Sequence, residues 1–368
     1  MRVPMPGSTP SPRPPSSSTP SPRTPSLSTP SPGTPSPSHR TPAPRPAFRP
    51  RLLTTCLLAL SLSTLVAACS GGGGGSGDGS GSASPSRAGG SAGGGPASLF
   101  DKQTLNIAVK KGQPGFSTRS EEEDDFAGFE AQLVQFLSTD LGFKAADWDV
   151  QSRNREKVLR ERSMDLVVAT YSITAPRDKK IDFTAPYLKT YQGVLVRKDE
   201  EGIERLPDVD GKRVCSVRGS TGDPESEQDD KAKKSVRDAL GPNVVAEFRN
   251  SYKTCVRELT RSNFDAVWTD KIILEGFAQD PRYKKDVKVV RDITVKKQQF
   301  YGIGLREGHE ADCRKLNGAL KRFLDTRWTL AFQAHFRSIT ERVAGYEQQY
   351  KPTDDEFEAL TETSCGGQ

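Results

Sequence analysis

The sequence predicts an α/β protein with mostly parallel sheets, divided between two domains. Three observations carry this expectation. From about residue 105 onward, short apolar runs of strand length alternate with segments of helical periodicity, an order that favours parallel strands joined by helices. Several of those runs end in clusters of hydroxyls, glycines and charges, and in open α/β sheets the carboxyl edge of the strands is where ligands bind. The third is length: 368 residues suffice for two domains of ordinary size.

In chain order, residues 1 to about 48 repeat Ser-Thr-Pro-Ser-Pro at Ser8, Ser18 and Ser28, a tract too polar to bury a core and expected to be disordered. An apolar segment at 52–68 follows Arg45, Arg49 and Arg51 and closes with Val66-Ala67-Ala68-Cys69. A positive flank, a short apolar stretch and a small-residue ending make a signal peptide, so 1–68 is read as leader plus export signal. The ending resembles a bacterial lipobox. Cys69 would then carry lipid and tie the chain to the bilayer at the extracytoplasmic face of the cell membrane. Residues 69–98 are rich in Gly and Ser and read as a flexible tether.

In the body, 105–109 alternates as a strand, and Leu133, Phe136, Leu137 and Leu141 recur at helical spacing. Val150 sits in a second expected strand and 155–161 in a helix. Strands are expected at 166–169, 192–197, 213–217, 244–248, 266–269, 287–290 and 300–305. Helices are expected at 225–239, 252–262, 272–278, 313–323 and 330–336. The polar residues beyond Ile339 give no such signal.

The formal net charge of +6 is misleading. Residues 1–68 contain seven arginines and no acids, so +6 less +7 leaves about −1 for the rest of the chain. No basic field of the kind nucleic acid requires survives there. The cysteines Cys215, Cys255, Cys313 and Cys365 are far apart and include no CxxC pair, which argues against a zinc or redox motif. Outside the cytoplasm they read as disulfides. Cys215 with Cys255 is favoured because both fall in the same expected domain, leaving Cys313 with Cys365. No cofactor or metal is implied.

Residues 165–187 organise the candidate site. The buried run Leu166-Val167-Val168-Ala169 breaks into Thr170, Tyr171, Ser172 and Thr174, and Arg177 follows. A guanidinium fork matches a carboxylate in two-pronged geometry, and hydroxyls complete its shell. Three further polar clusters follow or end strands. They are Lys110-Lys111-Gly112-Gln113, Gly219-Ser220-Thr221 and Thr269-Asp270. Taken singly, each has a plainer reading: surface lysines, a capped turn, an N-cap. His309 and His335 are the body's histidines, and from residue 99 onward no HExxH, GxSxG or Cys–His signature is present, so enzymatic chemistry is not expected.

Taken together and in order, several motifs resemble those of the polar amino-acid solute-binding proteins of ABC importers. These are Gly128-Phe129-Glu130, Asp165-Leu166, Ser172-Ile173-Thr174 with Arg177, Phe183-Thr184-Ala185-Pro186-Tyr187, Gly219-Ser220-Thr221, Asp265-Ala266-Val267 with Thr269-Asp270, and Tyr301-Gly302-Ile303-Gly304. Lys110, Gln113-Pro114-Gly115 and Tyr252 with Cys255 are most similar to the glutamate-binding lipoprotein branch. The resemblance implies a two-lobed type II periplasmic-binding-protein fold. Lobe one would comprise 99–198 and 296–338 and lobe two 199–295, joined by a two-strand hinge near Arg197 and 295–299, with a polar tail at 339–368.

It also implies roles. Arg177 and Ser172 would hold the α-carboxylate, with Thr221 and Ser220 closing on it from the other lobe. Asp270 would accept the α-ammonium, aided by Thr170. Lys110 and Gln113 would read the ligand's side chain, with Lys111 the competing lysine. The function implied is capture of glutamate, or a related polar amino acid, for delivery to an ABC permease. The alternative is a sensor reporting amino-acid levels to a membrane signalling partner.

Overall fold

A computed structural model describes residues 96–119, 126–224 and 235–366. The leader, Cys69, nearly all of the tether and the first ten residues of the helix expected at 225–239 lie outside them. Thirteen strands are described: β1 (Thr104–Val109), β2 (Gly112–Gln113), β3 (Ser117–Arg119), β4 (Phe126–Ala127), β5 (Lys144–Asp149), β6 (Leu166–Val167), β7 (Asp182–Phe183), β8 (Leu188–Arg197), β9 (Arg213–Val217), β10 (Val245–Arg249), β11 (Ala266–Asp270), β12 (Val287–Tyr301) and β13 (Gly304–Leu305). The helices are α1 (Phe129–Leu141), α2 (Arg155–Arg160), α3 (Ala175–Asp178), α4 (Ser235–Leu240), α5 (Tyr252–Leu259), α6 (Lys271–Gln279), α7 (Glu310–Thr326), α8 (Trp328–His335), α9 (Arg337–Thr340), α10 (Tyr346–Tyr350) and α11 (Asp354–Thr363).

Two five-stranded sheets form the cores of two lobes, ordered β5-β1-β6-β13-β7 and β10-β9-β11-β8-β12. Each is mixed rather than mostly parallel. β1 runs parallel to β5 and β6, and β9 to β10 and β11, whereas β13 and β8 pair antiparallel with their neighbours. The reason is the crossover. β8 carries the chain out of lobe one and β12 carries it back, so the two lie side by side in opposite directions.

In lobe one, Leu105, Ile107 and Val109 face the cluster built on α1, α7 and α8, while Ala108 joins the opposite one with Leu159, Tyr171 and Ile181. Burial on both faces explains why the run at 166–169 reads as unbroken apolar sequence. Phe129, fully buried at the start of α1, has Phe323, Trp328 and Phe332 within about 6 Å, centroid to centroid. An aromatic buried this completely contributes roughly 1.5–3 kcal/mol.

Two expectations need correcting, and the polar tail, which carries no signal in the sequence, finds its place. The crossing placed at Arg197 comes earlier, because Gln192 to Leu195 already pair with β11 in the second sheet. The strands expected at 287–290 and 300–305 are instead one strand, 287–301, followed by the short β13. Register shifts at Val290/Val295 and Val295/Gln298 interrupt its alternation, which is why its middle does not read as strand. The polar tail is also ordered through residue 366: α10 and α11 bury Tyr350 and Phe357 against lobe one. Both disulfides form, Cys215–Cys255 within lobe two (Cα–Cα 5.6 Å) and Cys313–Cys365 tying the tail to α7 (Cα–Cα 5.4 Å). Among the described residues, no helix is long and apolar enough to cross a membrane.

Candidate functional site

The polar clusters meet where the two lobes face each other. Pro176 in the first turn starts the four-residue α3, which turns the Arg177 guanidinium back over Tyr171, 5.3 Å from ring centroid to Cζ. Arg177 is 2 % exposed; it donates through Nη1 to the Ser172 carbonyl (2.9 Å) and through Nη2 to the Gly219 carbonyl (3.1 Å), with Glu156 3.5 Å from its Nε. Gly219 belongs to the turn after β9, so this bond spans the cleft.

Sequence reasoning missed a second arginine there. Arg155, also 2 % exposed, donates to the carbonyls of Ser152, Ala169, Thr170 and, across the cleft, Gly219 (2.9 Å). Two guanidiniums thus share one carbonyl. Burial, then the neighbouring Arg177, pull the Arg155 pKa below its ordinary value. The available signal was its spacing from Leu159: both are buried, and i, i+4 places a charge on the apolar face of α2.

Glu130 is the other missed residue and has the same signature, lying on the face of α1 that buries Leu133, Val134 and Leu137. Its Oε1 accepts from the Thr170 N–H (2.6 Å) and the Tyr187 hydroxyl (2.5 Å), while Oε2 is buried without a hydrogen bond among the described residues. Burial raises its pKa despite those bonds. The Thr170 N–H bond holds Thr170 at φ +44°, a left-handed conformation uncommon for threonine. Gln113 is buried beside it, and its Nε2 donates to the Thr170 hydroxyl (3.1 Å).

Lys110 and Lys111 separate. Lys110 points into the cleft, donating to the Ser152 hydroxyl (2.5 Å) and lying 5.6 Å from the Tyr252 ring centroid. Lys111 packs its ammonium on Phe126 instead. Loss of hydration, then Arg155, push the Lys110 pKa well below the ordinary lysine range. A cavity of about 410 Å³ opens next to Lys110, lined also by Gln113, Ser152 and Tyr252.

From lobe two comes Asp270, the last residue of β11, 4 % exposed. Its Oδ2 accepts from the Tyr301 hydroxyl (2.5 Å), and its Oδ1 is buried without a hydrogen bond among the described residues. Burial raises its pKa to about 6 against the lowering effects of Tyr301, Lys110, Arg177 and Arg155. Ser220 hydrogen-bonds Tyr252, whose hydroxyl also accepts from Thr269 (2.6 Å). Thr221 is half-buried and accepts from Gln192 Nε2 (3.1 Å). Ser172 lies against Tyr301 through a β-bridge, so Arg177, Ser172, Tyr301 and Asp270 form one connected path across the cleft.

Residues 105–337 match the model for bacterial extracellular solute-binding proteins, family 3. This protein belongs to that family. The family 3 protein is 32 % identical over 243 residues to the glutamate-binding protein GluB of Corynebacterium glutamicum, covering 63 % of this chain and 78 % of that one. It is 27 % identical to the ABC transporter glutamine-binding protein GlnH of Bacillus subtilis, over 61 % and 78 % of the two chains. Among solved structures, an ancestral arginine-binding protein bound to arginine shares its fold, with TM-score 0.55, 24 % identity and coverage of 64 % and 98 %. The two-lobed α/β architecture is the family's, and the relatives named here are amino-acid-binding proteins.

Proposed function

We infer that this family 3 protein captures a free acidic amino acid, glutamate foremost, by closing its lobes, and presents it to an ABC permease. One observation carries the reading: three basic side chains, Lys110, Arg155 and Arg177, converge on a cleft whose lobe-two wall offers Asp270 with a buried oxygen that has no hydrogen bond among the described residues. The donors of Arg155 go to main-chain carbonyls and that of Lys110 to a hydroxyl, so carboxylates of a ligand can take them. An amino-acid zwitterion leaving water needs each charge paired, since an unpaired buried ion costs several kcal/mol.

In this reading Arg177 and Ser172 hold the α-carboxylate, with Thr221 and Ser220 closing from lobe two. Asp270, with Thr170, takes the α-ammonium. Lys110, helped by Gln113 and flanked by Arg155, reads the side-chain carboxylate. Because Asp270 and Arg177 sit on opposite lobes, full pairing exists only when the lobes close, and the ligand shifts that equilibrium by its differential affinity. Lipid attachment at Cys69 would hold the body near its permease. Thermal-shift measurements with the twenty amino acids on residues 70–368 test the reading. Glutamate should give the largest shift, and no response to any amino acid refutes it.

Two further outcomes are expected. Lys110→Ala should move preference from glutamate toward glutamine, because the amide does not require a cation; an unchanged ratio of the two affinities in calorimetry transfers the role to another residue. Gly219→Ala should block closure. Gly219 lies at φ +77°, and a Cβ there would sit 2.3 Å from the Arg153 backbone on the facing lobe. Small-angle scattering should then show no compaction on adding glutamate, whereas the parent protein contracts.

A further inference from the structure

The family match ends at residue 337, yet the chain continues as ordered structure through 366. This extension is fixed at its far end to lobe one: Cys365 is disulfide-bonded to Cys313 on α7, its N–H donates to the Phe183 carbonyl (3.0 Å), and the neighbouring Ser364 accepts from Asn317 (2.9 Å). Between the two ends it crosses the strands that connect the lobes. Tyr350 packs on Phe332, and Glu356 on α11 reaches both β8 and β12. Its Oε2 accepts from Lys189 Nζ on β8 (2.7 Å) and its Oε1 from Gln298 Nε2 on β12 (3.2 Å). Lys189 is only 4 % exposed, and that carboxylate is its ion-pair partner at 2.7 Å. Gln298 stands at the second register shift of β12, the irregular point of the crossing. Near its start the extension also grips lobe two: Arg342 pairs with Glu275 on α6 (2.8 Å).

We propose that residues 341–366 are a strap that sets the balance between open and closed lobes, with Glu356 fastening the two connecting strands to each other and Arg342 holding lobe two toward lobe one. The strap favours the closed arrangement before ligand arrives. A binding-competent state that is populated in advance raises apparent affinity in proportion to its population. The ligand-affinity part of this proposal rests on the amino-acid reading above; the conformational part does not.

The test uses the full chain and two variants, Glu356→Gln and the double variant Cys313→Ser/Cys365→Ser. Hydrogen exchange of the ligand-free proteins is followed at 152–155 and 217–221, the facing segments joined through Gly219, and at 133–137 inside lobe one. Both variants should speed exchange at the facing segments and leave 133–137 unchanged. They should also weaken glutamate binding by roughly 3- to 10-fold, mostly through faster dissociation. Unchanged exchange at the facing segments, or an equal rise at 133–137 with a lower melting temperature, overturns the strap and leaves the extension a structural prop. If the parent protein binds no amino acid while the exchange pattern is as expected, the ligand reading fails and the strap stands.

Discussion

Arg177→Ala is expected to lower affinity for glutamate by roughly 30- to 700-fold, equivalent to about 2–4 kcal/mol. The size of the effect follows from burial. The guanidinium is 2 % exposed, so a ligand carboxylate arriving in its absence would lose its hydration and gain no counter-charge. Arg155 does not substitute for it, because it shares Ser152 with Lys110 and in this reading serves the side-chain end of the ligand. Calorimetry, with a melting curve to confirm folding, measures the loss. Near-parent affinity in a folded variant would remove Arg177 from the site and with it the arrangement proposed here.

The second large effect concerns Asp270. Its carboxyl titrates at about 6 in the ligand-free protein because burial disfavours the charge. The α-ammonium of a ligand requires the ionised form, so affinity should fall about tenfold for each pH unit below 6. Stability should move in the opposite direction. The folded carboxyl binds a proton more tightly than the unfolded one, so as pH falls from 6 toward 4 this group stabilises the ligand-free fold. A loss of binding without a loss of melting temperature therefore distinguishes titration of Asp270 from acid unfolding. Asp270→Asn should bind weakly at all these pH values and show a flat profile. A steep profile retained in that variant would assign the titration to a different group.

The strands of both cores were legible because burial on two faces writes them as plain apolar runs, as at Leu166-Val167 and Ala266-Val267. The clusters at Lys110, Arg177, Gly219 and Asp270 were legible for a related reason: each interrupts or ends such a run with groups a core does not need. What stayed hidden depends on tertiary partners. Arg155 stands in Arg-Asn-Arg-Glu-Lys, which reads as a solvated helix until four carbonyls from Ser152, Ala169, Thr170 and Gly219 surround its guanidinium. Glu130 opens a helix where an acid is ordinarily a favourable cap for the dipole, and only the fold shows it buried beneath Thr170 and Tyr187. The middle of β12 contains Arg291 and Asp292 and bulges twice, so neither period nor composition marks it as strand. α10 and α11 are polar along most of their length and are placed by Tyr350, Phe357 and a disulfide, contacts whose distant halves no local pattern reveals.

The pairing of β8 with β12 has a consequence for how such a molecule could arise or be dissected. Thr190 and Gln299 are direct cross-strand neighbours in an antiparallel ladder, and everything from 191 to 298 lies between them. An antiparallel pair can be closed by a two-residue hairpin. Topologically, then, lobe two is an insertion between two positions that lie side by side where the second sheet meets lobe one, and a short turn joining them would leave the β5-β1-β6-β13-β7 sheet with its chain path intact.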